Sequence, residues 1–417
     1  MGKAKTPPRP YDETRSVHAA WRAVVSGFCA SLVGIGLARF SYTPLLPAIV
    51  AAHWFDATVA AYLGAANLAG YLAGALAGRP LARRVSARAT IRGMMLLATV
   101  AFFACAHPAA FTWFFAWRFL AGLAGGALMV LAAPAVLPLV APSRRGLAGG
   151  IIFMGVGIGV AASGTLVPLL LGNGLSATWL GLGALSAVLT LIAWGGWPDE
   201  VQAAEPRYAR PATSLPARRL RALYLEYALN AAGWVPHMLF LVDFVARGLH
   251  QGMASGAAYW VLFGIGATVG PVLAGALADR TGFGRALRIG FVLEAGAVAM
   301  PVLASGTAWL VASSVIVGAF VTGTVPLVLG RLHEILAHHP AQHGGAWRTA
   351  TVAFALFQAA AAYAMSFAFS ASGGSYRLLF ALGTAAMVLA LTIDLLACAC
   401  DRPSPSERPM ARSAGNQ

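Results

Sequence analysis

The chain has 417 residues, 59% of them hydrophobic and only 10% charged, with a formal net charge of +15. Soluble domains carry roughly a quarter charged residues, so this chain has too little charge to cover a water-facing surface of its length. A soluble fold is excluded, and the cationic excess needs a different explanation from a nucleic-acid surface.

Twelve apolar runs follow one another, near 22–48, 57–78, 89–107, 110–141, 147–171, 175–197, 220–246, 253–278, 286–304, 307–330, 349–370 and 376–399. A helix needs about 20 residues to cross a bilayer. The runs are rich in Ala, Leu and Gly and lack period-two alternation, which fits helices and not a transmembrane barrel. The predicted fold class is therefore all-α: a polytopic membrane protein whose twelve transmembrane helices form two six-helix halves, 22–197 and 220–399. An N-terminal tail (1–21), a linker of mixed charge flanked by prolines (198–219) and a C-terminal tail (400–417) complete the chain, and each is too short for a soluble domain. Residues 1–16 are polar and the first apolar run is too long for a cleavable signal, so that run is expected to remain as the first span.

Placing the cations on this layout explains the charge. With the N-terminus on one side, 25 of the 29 basic residues fall on that same side, among them Arg79, Arg83, Arg84, Arg88, Arg92, Arg218, Arg219, Arg221, Arg280, Arg285, Arg288 and Arg331. Only Arg247 and Arg377 fall on the other, while Arg39 and Arg118 lie inside apolar runs. Cytoplasmic loops carry the Lys and Arg excess, so both termini are expected in the cytoplasm, with anionic lipid as a contact and nucleic acid excluded as a partner. The cysteines, Cys29, Cys105, Cys398 and Cys400, show no disulfide or zinc spacing. His333, His338, His339 and His343 cluster in one loop without a familiar ligand spacing, so no metal and no cofactor is expected. No run combines glycines with a P-loop Lys-Ser/Thr, and no Ser/His/Asp or Cys/His constellation gathers at one depth, so the chain is not expected to be an enzyme.

One peptide occurs twice. Leu72-Ala73-Gly74-Ala75-Leu76-Ala77-Gly78-Arg79 returns as Leu273-Ala274-Gly275-Ala276-Leu277-Ala278-Asp279-Arg280, 201 residues later. Each copy closes an apolar run and leads into further arginines, and duplicated halves are how many secondary transporters are built. These segments, with Gly282 and Arg285, resemble the loop motif of the major facilitator superfamily, found after spans two and eight. Arg118-Phe-Leu-Ala-Gly122 with Gly125 and Gly126 is similar to that superfamily's Arg-led motif in span four. The stretch from Gly36 through Arg39, Phe40, Tyr42 and Pro44 to Pro47 further resembles the YbfB/YjiJ-type bacterial branch. Two departures stand out. Gly78 occupies the place where the family usually has Asp, and Val160 and Ser163 replace the Pro and Gly of the antiporter signature in span five.

The resemblance implies a twelve-helix transporter of a bacterial inner (plasma) membrane, acting as a monomer, whose small-molecule substrate sits between the halves near the midplane. It further implies that Gly74, Arg79, Gly275, Asp279, Arg280 and Arg285 hold the inner gate. The residues themselves add a charge preference. A charge at bilayer depth costs about 2.5–3.5 kcal/mol on insertion scales, and Arg39 and Arg118 lie about 20 Å and about 15 Å from the outer ends of their spans. Together they would make a fork for a carboxylate, sulfonate or phosphate; alternatively each caps backbone carbonyls. Tyr42, at i+3 from Arg39, offers a hydroxyl or simply packs. Glu226 is a candidate proton carrier or a salt-bridge partner of Arg219 and Arg221. His237 follows Pro236, a helix-breaking residue, and it titrates near neutral pH or is satisfied by a neighbouring helix. Asn67, Asn230 and Gln358 line a cavity or bond between helices. Glu294 and Asp394 are expected to be structural, and Asp243 and Arg247 to form an i,i+4 pair. The expected function is secondary active transport of a small organic anion, as symport with protons. A drug or metabolite exporter on the same fold is the alternative; a transport-silent sensor or assembly partner would more naturally carry a soluble output domain.

Overall fold

A computed structural model describes residues 10–141, 145–198, 216–304, 306–339 and 342–399. Most of the linker, the C-terminal tail with Cys400, and the first nine residues therefore lie outside the described residues. Among the described residues twelve helices are long and apolar enough to cross a membrane: α1 (His18–Ala51), α2 (Ala57–Arg84), α3 (Ala87–Ala104), α4 (Phe111–Leu139), α5 (Ala148–Leu171), α6 (Leu175–Ala193), α7 (Ala217–Gly248), α8 (Gly252–Thr281), α9 (Phe283–Leu303), α10 (Thr307–Ile335), α11 (Gly345–Ala371) and α12 (Tyr376–Ala397). No strand occurs among the described residues. The membrane face that holds the start of α1 and the arginine-rich ends is called the basic side below, and the opposite face the far side.

Within the first half α2 packs on α4, and α3 on α4 and α6; within the second, α8 packs on α10, and α9 on α10 and α12. The halves meet along α5–α8, α2–α11 and the far-side pieces of α1 and α7. Lipid offers no hydrophobic gain for helix association, so seams form where small residues let backbones touch. A Cβ on Gly70, Gly74, Gly122 or Gly126 would fall 1.9, 2.0, 1.8 or 2.0 Å from the carbonyl oxygen of Phe119, Leu123, Asn67 or Tyr71, which locks α2 onto α4. The second half repeats the lock. Gly266, Gly270 and Gly318 meet the carbonyls of Val315, Ala319 and Phe263 in the same way. At the place of Gly126, Thr322 donates its hydroxyl to the carbonyl of Ala267.

All these equivalent positions are 196 residues apart, as are Ser86 and Gly282, the N-caps of α3 and α9. The peptide repeat, at 201 residues, is thus five residues out of register with the packing repeat. Gly74 is buried against Leu123, whereas a Cβ on Gly275 would meet nothing within 4 Å. In the packing register the last turn of α2 presents Arg83 where α8 presents Asp279. Arg92 and Arg288, also 196 apart, make matching ties. The first donates to the carbonyl of Trp194 at the end of α6, and the second pairs with Asp394 of α12.

Both α1 and α7 are broken. α1 passes from a helix ending at Ser31 through a π-turn (Leu32–Leu37) and a non-helical turn into a second helix, Tyr42–Ala51. α7 runs as Ala217–Gly233, then Val235–Asp243, then a π-turn Phe244–Gly248. Proline explains where the breaks fall, because Pro44 and Pro236 lack the N–H that would bond the carbonyls of Phe40 and Ala232. Those carbonyls accept from the N–H groups of Thr43 and Trp234 instead.

The seam geometry gives a direct test. Gly122→Ala places a methyl against the Asn67 carbonyl and is expected to destabilise the protein by about 1–3 kcal/mol, the usual cost of overpacking. Gly275→Ala is expected to stay within about 0.5 kcal/mol. Thermal unfolding of both variants in detergent reads the difference.

Candidate functional site

The break in α1 presents Arg39 to the junction of the halves. Its Nη2 donates to Oε1 of Gln358 on α11 and to Sδ of Met238 on α7, the latter at 3.1 Å. The guanidinium carbon lies 5.0, 5.1 and 5.5 Å from the ring centroids of Tyr71, Phe40 and Trp234. Nε has no partner, and the residue is 8% exposed. A desolvated cation over an aromatic face gains about 2 kcal/mol, which offsets part of the cost of the buried charge. No carboxylate pairs with Arg39 among the described residues.

Arg118 stands on the other side of the same turn. Its Nη1 donates to the carbonyl of Ala38 at 2.9 Å, and its guanidinium lies 4.3 Å from the Tyr42 ring centroid. It is surrounded by Ala98, Ala101, Phe102, Cys105 and Trp179 in the interior of the first half. Tyr42 gives its hydroxyl to the Ala60 carbonyl of α2 at 2.8 Å. Asn67 donates to the backbone carbonyl of Arg118 itself. The two arginines therefore do not form one fork in this conformation. Arg39 faces the junction, and Arg118 with Tyr42 holds the turn that carries it.

The remaining expected residues lie inside the second half. His237 Nε2 is 2.7 Å from Ser313 Oγ, and the Ser313 hydroxyl donates to the Ala297 carbonyl, so His237 joins α7 to α9 and α10. Asn230 donates its amide to Glu294 of α9. Glu226 is 3% exposed and makes no hydrogen bond or ion pair among the described residues, so the expected bridge to Arg219 and Arg221 is not formed. Asp243 and Arg247 do pair, and Tyr376 joins them. Glu334 accepts from Arg331 and from the backbone N–H of Phe283, which caps α9. Of the loop histidines, His333 and His343 stack at 4.4 Å, and no group of three metal-ligating side chains occurs among the described residues.

The aromatic wall around Arg39 was not singled out from the sequence. Its signals are a Tyr within the Gly-rich seam of α2 and a Trp directly after Gly233 at a proline-marked break, but only the fold turns both toward Arg39.

The cross-half contacts concentrate from Arg39 toward the far side. Thr43 donates to the Met238 carbonyl, Trp260 to Ser163 at 3.0 Å, and Trp260 packs on Phe40. The rings of Tyr62 and Tyr363 pack at 6.3 Å, and the contact nearest the basic side among these, Gly157 against Thr268, lies just below the level of Gly36. On the basic side Arg79, Asp279, Arg280 and Arg285 are exposed and make no ion pair among the described residues. The halves are thus joined on the far side, while the charges of the loop motifs stand apart.

Twelve helices in two glycine-locked halves, with broken helices framing a buried cation at their junction, define a transporter of the major facilitator fold. The chain belongs to the family described as "Uncharacterised MFS-type transporter YbfB", whose profile matches residues 31–395. No curated protein sequence matches it. Among solved structures it is similar to a point-mutant form of the nucleoside transporter NupG, at a TM-score of 0.70 and 15% identity, over 91% of this chain and 99% of that one. At that identity the likeness concerns the fold.

If the halves close on the far side as described, Tyr62→Cys with Tyr363→Cys, in a chain freed of its native cysteines, is expected to cross-link readily with a short bifunctional thiol reagent. Gly150→Cys with Gly275→Cys on the basic side is expected to cross-link far less. Gel mobility after reaction checks both.

Proposed function

We propose that this chain moves a small organic anion across a bacterial inner membrane by alternating access, as a monomer with both termini in the cytoplasm, in symport with protons. The observation that carries the reading is Arg39: a buried guanidinium between the halves, held by an amide, a thioether and three rings but by no anion. A buried charge is normally paired, and a carboxylate, sulfonate or phosphate reaching the unpartnered Nε edge supplies the missing partner bidentately. Arg118 then serves through the backbone it holds, with Tyr42 beside it. His237 and Asn230 set the shape of α7.

The described conformation corresponds to the one that faces the cytoplasm. In the opposite state Gly74, Arg79, Gly275, Asp279, Arg280 and Arg285 close the basic side, and the open surface at Gly275 receives the neighbouring helix. Glu226, buried without a partner in the basic-side piece of α7, is the proton carrier nearest that side. The exporter reading needs an acid in the cavity to attract a cation, and Arg39 has none near it.

The test is uptake into proteoliposomes of a panel of small organic anions, cations and neutral compounds, with and without an inward proton gradient. Gradient-driven uptake of an anion, reduced about tenfold or more in a folded Arg39→Ala variant as expected for losing a charge-assisted bond, supports the proposal. Uptake of cations or neutral compounds that Arg39→Ala leaves unchanged overturns it.

A further inference from the structure

Glu294 stands apart from every other acid in the described residues. It is 0% exposed on α9, its Oε2 accepts from the Asn230 amide, and its Oε1 has no partner. No charged group on the elements packed around it pairs with it among the described residues. On α9 itself Arg288 pairs with Asp394 of α12; on α10 Arg331 pairs with Glu334; Arg377 of α12 donates to the Val302 carbonyl at the far end. Asp279 and Arg280 of α8 are exposed at the basic end. On α7, His237 is bonded to Ser313, and Glu226 lies one turn from Asn230 on the same face.

A carboxylate with one neutral donor and no cation is an expensive group to keep ionised away from water. Protonation removes the charge and turns the group from acceptor-only into a donor as well, which changes what it can exchange with Asn230. That residue lies three positions before Gly233, where the first piece of α7 ends. Its amide also reaches the thioether of Met387 at 3.5 Å, and the Gly233 backbone is pressed against the same Met387 side chain. The next residue, Trp234, carries its ring to Arg39 and to Phe40. A proton at Glu294 therefore acts at the root of the α7 break, four residues from the ring that walls the candidate substrate site.

We propose that Glu294, gripped by Asn230, is the proton-binding site that biases the α7 break, with Glu226 as the relay between it and the basic side. This rests on the alternating-access reading and deepens its proton coupling. It is independent of the charge of the substrate, so its failure leaves the anion assignment untouched.

The test needs no substrate. Far-side closure is read by cross-linking Tyr62→Cys with Tyr363→Cys between about pH 5 and about pH 9, a range that brackets buried carboxyl titration. The parent pair is expected to change its cross-linked fraction across this range. Glu294→Gln is expected to lose the pH dependence and stay at the parent's acid value throughout, while Glu226→Gln retains both end points. Infrared difference spectra of the protein follow the carboxyl band over the same range. A titrating band that survives in Glu226→Gln and is displaced in Glu294→Asp, which keeps the acid and guards against a variant that fails to fold, supports the assignment. A band or pH dependence that Glu294→Gln and Glu294→Asp leave as in the parent, or that Glu226→Gln alone removes, overturns it.

Discussion

An uncompensated guanidinium in the middle of a lipid-embedded protein is the constraint around which the rest is arranged. Water cannot reach it freely, so the protein must hold it, and each element of the hold has a structural cost. α1 must break to turn Arg39 toward the junction, and the turn must be pinned by Arg118 and Tyr42. α7 must break as well, because Trp234 and Met238 reach the cation from opposite ends of its break. α11 contributes Gln358, whose amide oxygen is neutral and can be given up. A neutral acceptor and aromatic faces keep the charge tolerable without cancelling it. A carboxylate in the place of Gln358 would instead neutralise the guanidinium.

The two halves show what a duplication preserves when sequence diverges. The carbonyl-to-glycine contacts of α2–α4 recur in α8–α10 at a spacing of 196 residues, although few side chains agree. The peptide that advertises the duplication recurs at 201. Backbone packing is the stricter record, since a methyl at those seams would overlap a carbonyl, while a loop motif at a helix end can slip by more than a turn. The slip has an electrostatic result: arginine and aspartate occupy corresponding last turns, so the two halves present unlike charges on the basic side.

Fold class, span number and the split into halves were legible because lipid imposes them: length, apolarity and charge asymmetry are written directly in composition. Within the spans the sequence located the unusual groups but not their partners. Arg39 stood out by its depth, yet whether it pairs with Arg118 depended on which face of a broken helix each occupies. The prolines at 44 and 236 marked the breaks; the direction taken after them comes from packing. Glu226 beside Arg219 and Arg221 read as a salt bridge on spacing alone, and the fold buries Glu226 while both arginines stay exposed at the helix start. Glu294 and Asn230 sit 64 residues apart, and nothing local relates them.

The seams of the two halves are also fastened at different heights. Along α2–α4 the Asn67 amide holds the carbonyl of Arg118, the residue whose side chain pins the turn of Arg39. Along α8–α10 the Thr322 hydroxyl holds the Ala267 carbonyl, one turn nearer the basic side in the packing register. Sliding at either seam forfeits about 1 kcal/mol. Each half is therefore tied most firmly at its own depth, the first beside the turn that carries Arg39 and the second closer to the basic-side ends of its helices.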